Sequence, residues 1–187
     1  MANGVVLETG RLLLLAPQPD HAAGLRDYMA RNRDHFAPYL PPLPDGLHTL
    51  EFWHERLAAW REEVAADQSL RLLLIERDGD RRLVIGDCAF TNIVRGPFQA
   101  CHLGYKLDRQ FVGRGLMREG LTAALDHAFH SLRLHRIMAN YQPTNERSGR
   151  LLRRLGFTIE GYARDYLFLN GAWRDHILTS LVNPNLR

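Results

Sequence analysis

The sequence predicts an α+β fold: one mixed, mostly antiparallel sheet of about seven strands flanked by about four helices. Two observations lead there. Strand-sized apolar blocks follow one another through the first half of the chain, divided by turn signals at Asp78-Gly79-Asp80 and Gly96-Pro97, so neighbouring strands form a meander. After Leu107 the pattern changes to helical spacing that alternates with single strands. With no linker and no internal repeat, residues 1–187 read as one domain, long enough to bury a sizeable core.

The elements follow in order. Arg11 to Ala16 is a strand, ended by Pro17 and Pro19, and Asp20 is placed to cap a helix that carries Leu25, Tyr28 and Met29 on one face. Pro38 to Pro44 is a loop. Trp53, Leu57, Trp60 and Val64 then recur at helical intervals, with charged side chains on the other face. Leu70 to Glu76 and Leu83 to Ile93 form a hairpin, and Ala100 to Leu107 is the next strand. Leu116 to Leu132 is a long helix, His135 to Tyr141 a strand, and Asn145 to Leu155 a short helix stopped by Gly156. Two last strands flank the hairpin turn Asn170-Gly171.

Composition narrows the functional classes. The longest apolar run, Leu12 to Leu15, falls far short of the ~18–20 residues of a membrane-spanning helix. The N-terminal residues lack the basic segment and apolar stretch of a secretion signal, so a soluble, cytoplasmic protein is expected. A net charge of +3 is too mild to imply nucleic-acid binding by itself, but it suits an anionic small ligand or a protein partner near RNA. Cys88 and Cys101 sit among apolar residues without a CxxC, which reads as two buried free thiols. His127 and His130 are three apart on the long helix and His135 follows, but no third ligand stands at metal-site spacing, so they read as solvated or core histidines; no metal is expected.

The most informative segment is Gln110-Phe111-Val112-Gly113-Arg114-Gly115, between a strand and a helix. Glycines allow close backbone approach to a ligand, and the first amides of the following helix have no partner within it. Together they make an anion site suited to a pyrophosphate, with Arg114 and Arg118 adding charge; the alternative is a tight turn with no ligand. The nucleotide loop that ends in Gly-Lys-Ser/Thr is excluded, because this one continues Gly115-Leu116-Met117. A dinucleotide fingerprint needs a third glycine and a parallel βαβ unit, and the preceding strands are antiparallel.

Gln-x-x-Gly-x-Gly after a strand and before a long helix resembles the acetyl-CoA signature of the Gcn5-related N-acetyltransferases (GNAT). About thirty residues later, Asn145-x-x-Ser148, Leu151-Leu152 and Leu155-Gly156-Phe157 are similar to the family's cofactor-lining helix. Further strings resemble its RimJ/RimL-type, ribosomal-protein-alanine branch. These are Thr9-Gly10-Arg11-Leu12, Asn92 to Gly96, Leu103-Gly104-Tyr105, Gly115-Leu116-Met117, His135 to Tyr141, Arg147-Ser148-Gly149 and Trp173 to His176.

The resemblance implies the GNAT fold, in which the strand Ala100 to Leu107 splays from its parallel neighbour His135 to Tyr141 and the pair holds acetyl-CoA. It implies direct acetyl transfer to an amine, here the N-terminal alanine of a small-subunit ribosomal protein. The expected partners are acetyl-CoA and that protein N-terminus, with no membrane and no direct nucleic-acid contact, in a monomer or homodimer. By the same resemblance, the cofactor-binding residues are Leu103, Tyr105, Gln110, Val112, Gly113, Arg114, Gly115, Leu116, Asn145, Arg147 and Ser148.

The chain departs from the family pattern at two catalytic positions. Where relatives often carry Glu before Leu-Gly-Tyr, this chain has His102, which can act as a base near neutral pH. Water, Asp87 and Asp175 are the other candidates for that role. The usual tyrosine acid is replaced by Leu152, which leaves Ser148 to hydrogen-bond the leaving sulfur. Arg147, Arg150, Arg153 and Arg154 form either a solvated helix face or a contact for the 3′-phosphate of CoA. Acetylation of a small amine, and a non-catalytic CoA-binding assembly module, are the competing functions.

Overall fold

Leucine runs set the centre of the sheet, because their two faces are buried against different helices. The computed structural model describes residues 6–186. Its strands are β1 (Val6–Glu8), β2 (Leu12–Leu15), β3 (Ser69–Glu76), β4 (Gly86–Val94), β5 (Ala100–Leu107), β6 (Arg136–Met138), β7 (Thr158–Leu169) and β8 (Ala172–Val182). The helices are α1 (Ala22–Arg31), α2 (Arg33–Phe36), α3 (Leu50–Ala65), α4 (Leu116–His130) and α5 (Glu146–Arg154). One sheet runs in the order β1-β2-β3-β4-β5-β6-β8-β7, and only β5 and β6 pair in parallel.

In β3 the side chains alternate between the sheet's two faces. Leu70, Leu72 and Leu74 join a core that includes Leu121, Ala124, Leu125 and Ala128 of α4 and Leu152 of α5. Leu73 points the other way, into a second cluster with Leu25 and Tyr28 of α1 and Trp53 and Leu57 of α3. The sheet is therefore covered on both sides, with α4 and α5 on one and α1 and α3 on the other. Cys88 and Cys101 are buried free thiols; burial pushes the Cys101 thiol up to about 12.

The mixed, mostly antiparallel sheet read from the sequence is present, with eight strands among the described residues where about seven were expected and five helices where about four were expected. The additional strand is β1, three residues that pair with β2, and the additional helix is the single turn α2 after a break at Asn32. Elements this short carry too little periodicity to stand out. Asp20 does not cap α1; a 3₁₀ turn over Pro19–His21 intervenes, and α1 begins behind His21 without a side-chain cap. The second hairpin strand starts at Gly86 and not at Leu83, because Leu83 is still bonded to Asp80 in the turn. The Asn170-Gly171 turn joins β7 to β8 as expected, with both residues at positive φ.

Candidate active site

β5 and β6 share only three rungs, Ala100 with Arg136, Cys101 with Ile137, and His102 with Met138. Beyond His102 they part. The segment after β6 turns to β8, where Ala139 donates to the carbonyl of Thr179 and Tyr141 bridges Ile177. Asn140 secures the departure: its side-chain oxygen accepts from the Thr179 amide at 3.2 Å. This is why the predicted strand His135 to Tyr141 shortens to three residues.

The far half of β5 is left with an open edge. Asp108 donates its N–H to Ile85, on the β4 side, whereas the Gln99 carbonyl accepts from His135 and Arg136, on the β6 side. Backbone direction alternates along a strand, so the polar groups of Leu103 and Tyr105 face the fork. A cleft of about 1210 Å³ opens there, and its wall includes Leu103, Gly104, Tyr105, Asn145 and Ser148.

The glycine loop closes one end of the cleft. Gly113 and Gly115 sit at φ +85° and +78°, a left-handed geometry that side chains resist, and Gly115 is the N-cap of α4. The chain resumes hydrogen bonding at Glu119, whose N–H reaches the Gly115 carbonyl, so the earlier amides of α4 are free for an anion. Two tethers fix the loop. The Arg11 guanidinium donates to the Arg114 carbonyl at 2.9 Å and to Glu119 at 2.7 Å, while Thr9 donates to Glu119 at 2.7 Å. On the other side, Asp108 accepts from the Gln110 amide at 2.9 Å and pairs with Arg31, and Asn32 accepts from the Arg109 amide at 2.9 Å.

On the α5 side, Asn145 caps its helix by accepting from the Ser148 amide at 3.1 Å. The Ser148 hydroxyl meets the Tyr105 hydroxyl at 2.7 Å across the cleft. Burial pushes the Tyr105 phenol up to about 12, against the opposing pull of Ser148, so it stays protonated. Leu152, by contrast, lies in the core at 1% exposure.

The same cleft continues as a chamber on the opposite face of β4 and β5, toward α1 and α3. The cross-strand pairs Thr91–His102, Ala89–Gly104 and Asp87–Lys106 follow one another there. Gly104 has open space where a side chain would stand. Lys106 donates to Asp87 at 2.8 Å. His102 is half-buried at the fork; burial lowers its imidazole below the usual range, and its Nδ1 has no hydrogen-bond partner.

Most of the expected residues converge. Leu103, Tyr105, Val112, Gly113, Gly115, Leu116, Asn145, Arg147 and Ser148 all line the one cleft. His102, Gln110 and Arg114 are not among its lining residues. Gln110 is exposed, and the Arg114 guanidinium lies over the Phe111 ring at 5.0 Å. Arg11, Glu119, Lys106 and Tyr141 escaped sequence reasoning. Arg11 and Glu119 lie 108 residues apart and carry no local signal. Lys106, the chain's single lysine, is a compositional oddity that could have drawn attention. No group of three or more His, Cys, Asp or Glu poised to hold a metal occurs among the described residues, and no helix there is long and apolar enough to cross a membrane.

A fork between parallel strands, beside a glycine loop that opens a helix, is the acyl-CoA cradle of one enzyme class, and the acetyltransferase (GNAT) domain model matches residues 11–158. The chain belongs to the GNAT N-acetyltransferase family. Within it, the chain is 44% identical over 182 residues to the [ribosomal protein uS5]-alanine N-acetyltransferase of Escherichia coli, covering 97% of this chain and 92% of the relative. The crystal structure of a ribosomal-protein-S5-alanine acetyltransferase from Vibrio fischeri superposes with a TM-score of 0.92 at 37% identity, over 98% of this chain and 99% of that one. Mycobacterium smegmatis RimJ in complex with CoA-disulfide gives a TM-score of 0.87 at 27% identity, over 94% of this chain and 83% of that one.

Proposed function

We propose that this protein transfers the acetyl group of acetyl-CoA directly to the α-amine of an N-terminal alanine on a small-subunit ribosomal protein. The observation that carries this reading is the two-sided cleft. An open strand edge and free helix amides lie on one side of β5, and a chamber floored by Gly104 lies on the other. Similarity to uS5-alanine N-acetyltransferase over almost the whole chain supports the choice of acceptor.

In this reading the pantetheine arm runs along the β5 edge at Leu103 and Tyr105. The pyrophosphate rests on the loop from Gln110 through Val112, Gly113, Arg114 and Gly115 to the first turn at Leu116. Asn145 and Arg147 bind from α5. A backbone N–H of the β5 edge polarises the thioester carbonyl and stabilises its developing oxyanion. Holding amine and thioester together supplies much of the rate enhancement. His102, neutral at pH 7, takes the amine's proton at the fork. Ser148, backed by the protonated Tyr105, hydrogen-bonds the departing sulfur, a role open because Leu152 carries no hydroxyl. The enzyme works in the cytoplasm, as a monomer or homodimer, on a protein N-terminus and without needing RNA contact.

The test mixes protein, acetyl-CoA and a peptide beginning with Ala, and follows free thiol and peptide mass. The expected result is one acetyl group on the peptide's α-amine. Equal turnover of unrelated small amines would overturn the acceptor assignment. Tight CoA binding without thiol release from any acceptor would overturn the enzymatic one.

A further inference from the structure

The chamber above Gly104 contains a carboxylate and a primary ammonium already in contact. Asp87 and Lys106 face each other across β4 and β5, and both line the cleft. The Lys106 Nζ lies 2.8 Å from Asp87, with the side chains 26% and 20% exposed. Lys106 is the chain's single lysine, so every other basic side chain apart from the histidines is an arginine. A compact ammonium makes a point contact that the planar guanidinium does not reproduce. The geometry at Asp87 thus suits a primary ammonium, which is also the chemistry of a peptide's N-terminus.

The surroundings are shaped for an incoming group. Ala89 and Gly104, the next pair along the strands, leave a flat floor with open space over Gly104. Asp87 and His102 flank that floor from its two ends. Each pair is two residues from the Ala89–Gly104 rung, roughly 7 Å along the strand. Behind the pair, the Tyr28 side chain is fully buried, lines the cleft and has a hydroxyl without a hydrogen-bond partner. Burial, and then the nearby Asp87 carboxylate, push that phenol well above its ordinary range, so it stays a protonated donor beside Asp87. Two arginines nearby are engaged, Arg71 with Glu63 and Arg31 with Asp108.

We propose that Asp87 receives the acceptor's α-ammonium above Gly104, and that Lys106 holds that carboxylate until the acceptor displaces it. This deepens the proposed function and rests on it. Asp87 is a specificity-determining residue here: it selects a charged N-terminus and sets it between the thioester and His102. Charge-assisted hydrogen bonds to a half-buried carboxylate give that selection its strength.

The experiment compares wild type, Asp87→Asn and the charge-neutral double variant Asp87→Asn/Lys106→Gln, which leaves no unpaired lysine if the single variant fails to fold. The ligands are a peptide beginning with Ala and the same peptide with a propionyl group in place of that alanine, which removes the amine. Peptide KM and kcat, the affinity of both peptides for the CoA-loaded protein, and acetyl-CoA affinity are measured. Wild type is expected to bind the amine peptide at least tenfold tighter than the des-amino one. The variants are expected to lose that preference and to raise the peptide KM about tenfold or more, with acetyl-CoA affinity within twofold of wild type. An active wild type whose variants keep both the KM and the preference overturns the Asp87 assignment alone. A wild type that acetylates no peptide N-terminus overturns the proposed function and this inference with it.

Discussion

The hydroxyls of Tyr105 and Ser148 meet at 2.7 Å, one carried by β5 and the other by the first turn of α5. They join β5 to α5 across the cleft, at the height of the open strand edge. Ser148→Ala is expected to lower kcat about tenfold, or about 1.4 kcal/mol in the barrier, with acetyl-CoA affinity little changed. The effect is modest because a thiol's reference pKa is already ~8.5. Tyr105→Phe in the Ser148→Ala background should add much less than it does alone, since groups in direct contact are not additive. Steady-state kinetics of the four proteins reads this out, and full additivity would separate the two hydroxyls.

Gly113 tests the loop. At φ +85° a β-branched residue is strained by about 1–2 kcal/mol, and its side chain would stand where the pyrophosphate is proposed to lie. Gly113→Val should leave a folded protein that no longer binds acetyl-CoA in a calorimetric titration. Unchanged affinity would refute the loop as the binding site.

His102 gives a pH prediction. Its folded pKa is lowered by burial, so the base is available at pH 7 and is lost as pH falls through that lowered value. The rate on a peptide should therefore decline on the acid side, below about pH 6.5. Stability follows the same sign, because the unfolded chain takes up the proton first as pH falls below about 6.5. His102→Ala should be slower at neutral pH and partly recover at high pH. A variant with the wild-type profile would remove His102 from the mechanism.

Asp108 ties α1 to the loop. Burial alone would raise its carboxyl, but hydrogen bonds and Arg31 outweigh that and hold it below the usual range. The stability it contributes is present above about pH 4 and is lost as pH falls through the folded value. Asp108→Ala strands Arg31 and frees the Gln110 amide, at a cost of about 3 kcal/mol. Thermal unfolding at pH 7 should show the deficit, and it should shrink in acid.

Sequence by itself determined the elements with strong periodicity and the glycine loop. Leu70 to Glu76, the long helix of α4 and the Asn170-Gly171 turn are local signals, and local signals are readable one residue at a time. The loop was legible because its glycines and its position before a helix are contiguous. The tertiary structure alone decided what surrounds it. Arg11 reaches Glu119 across 108 residues, Tyr105 finds Ser148 across 43, and Asp87 faces Lys106 only because β4 and β5 pair in that register. The splay itself depends on Asn140 bonding Thr179, which draws the chain away from β5. Such contacts are set by strand register and long-range closure, and no window of sequence carries that information.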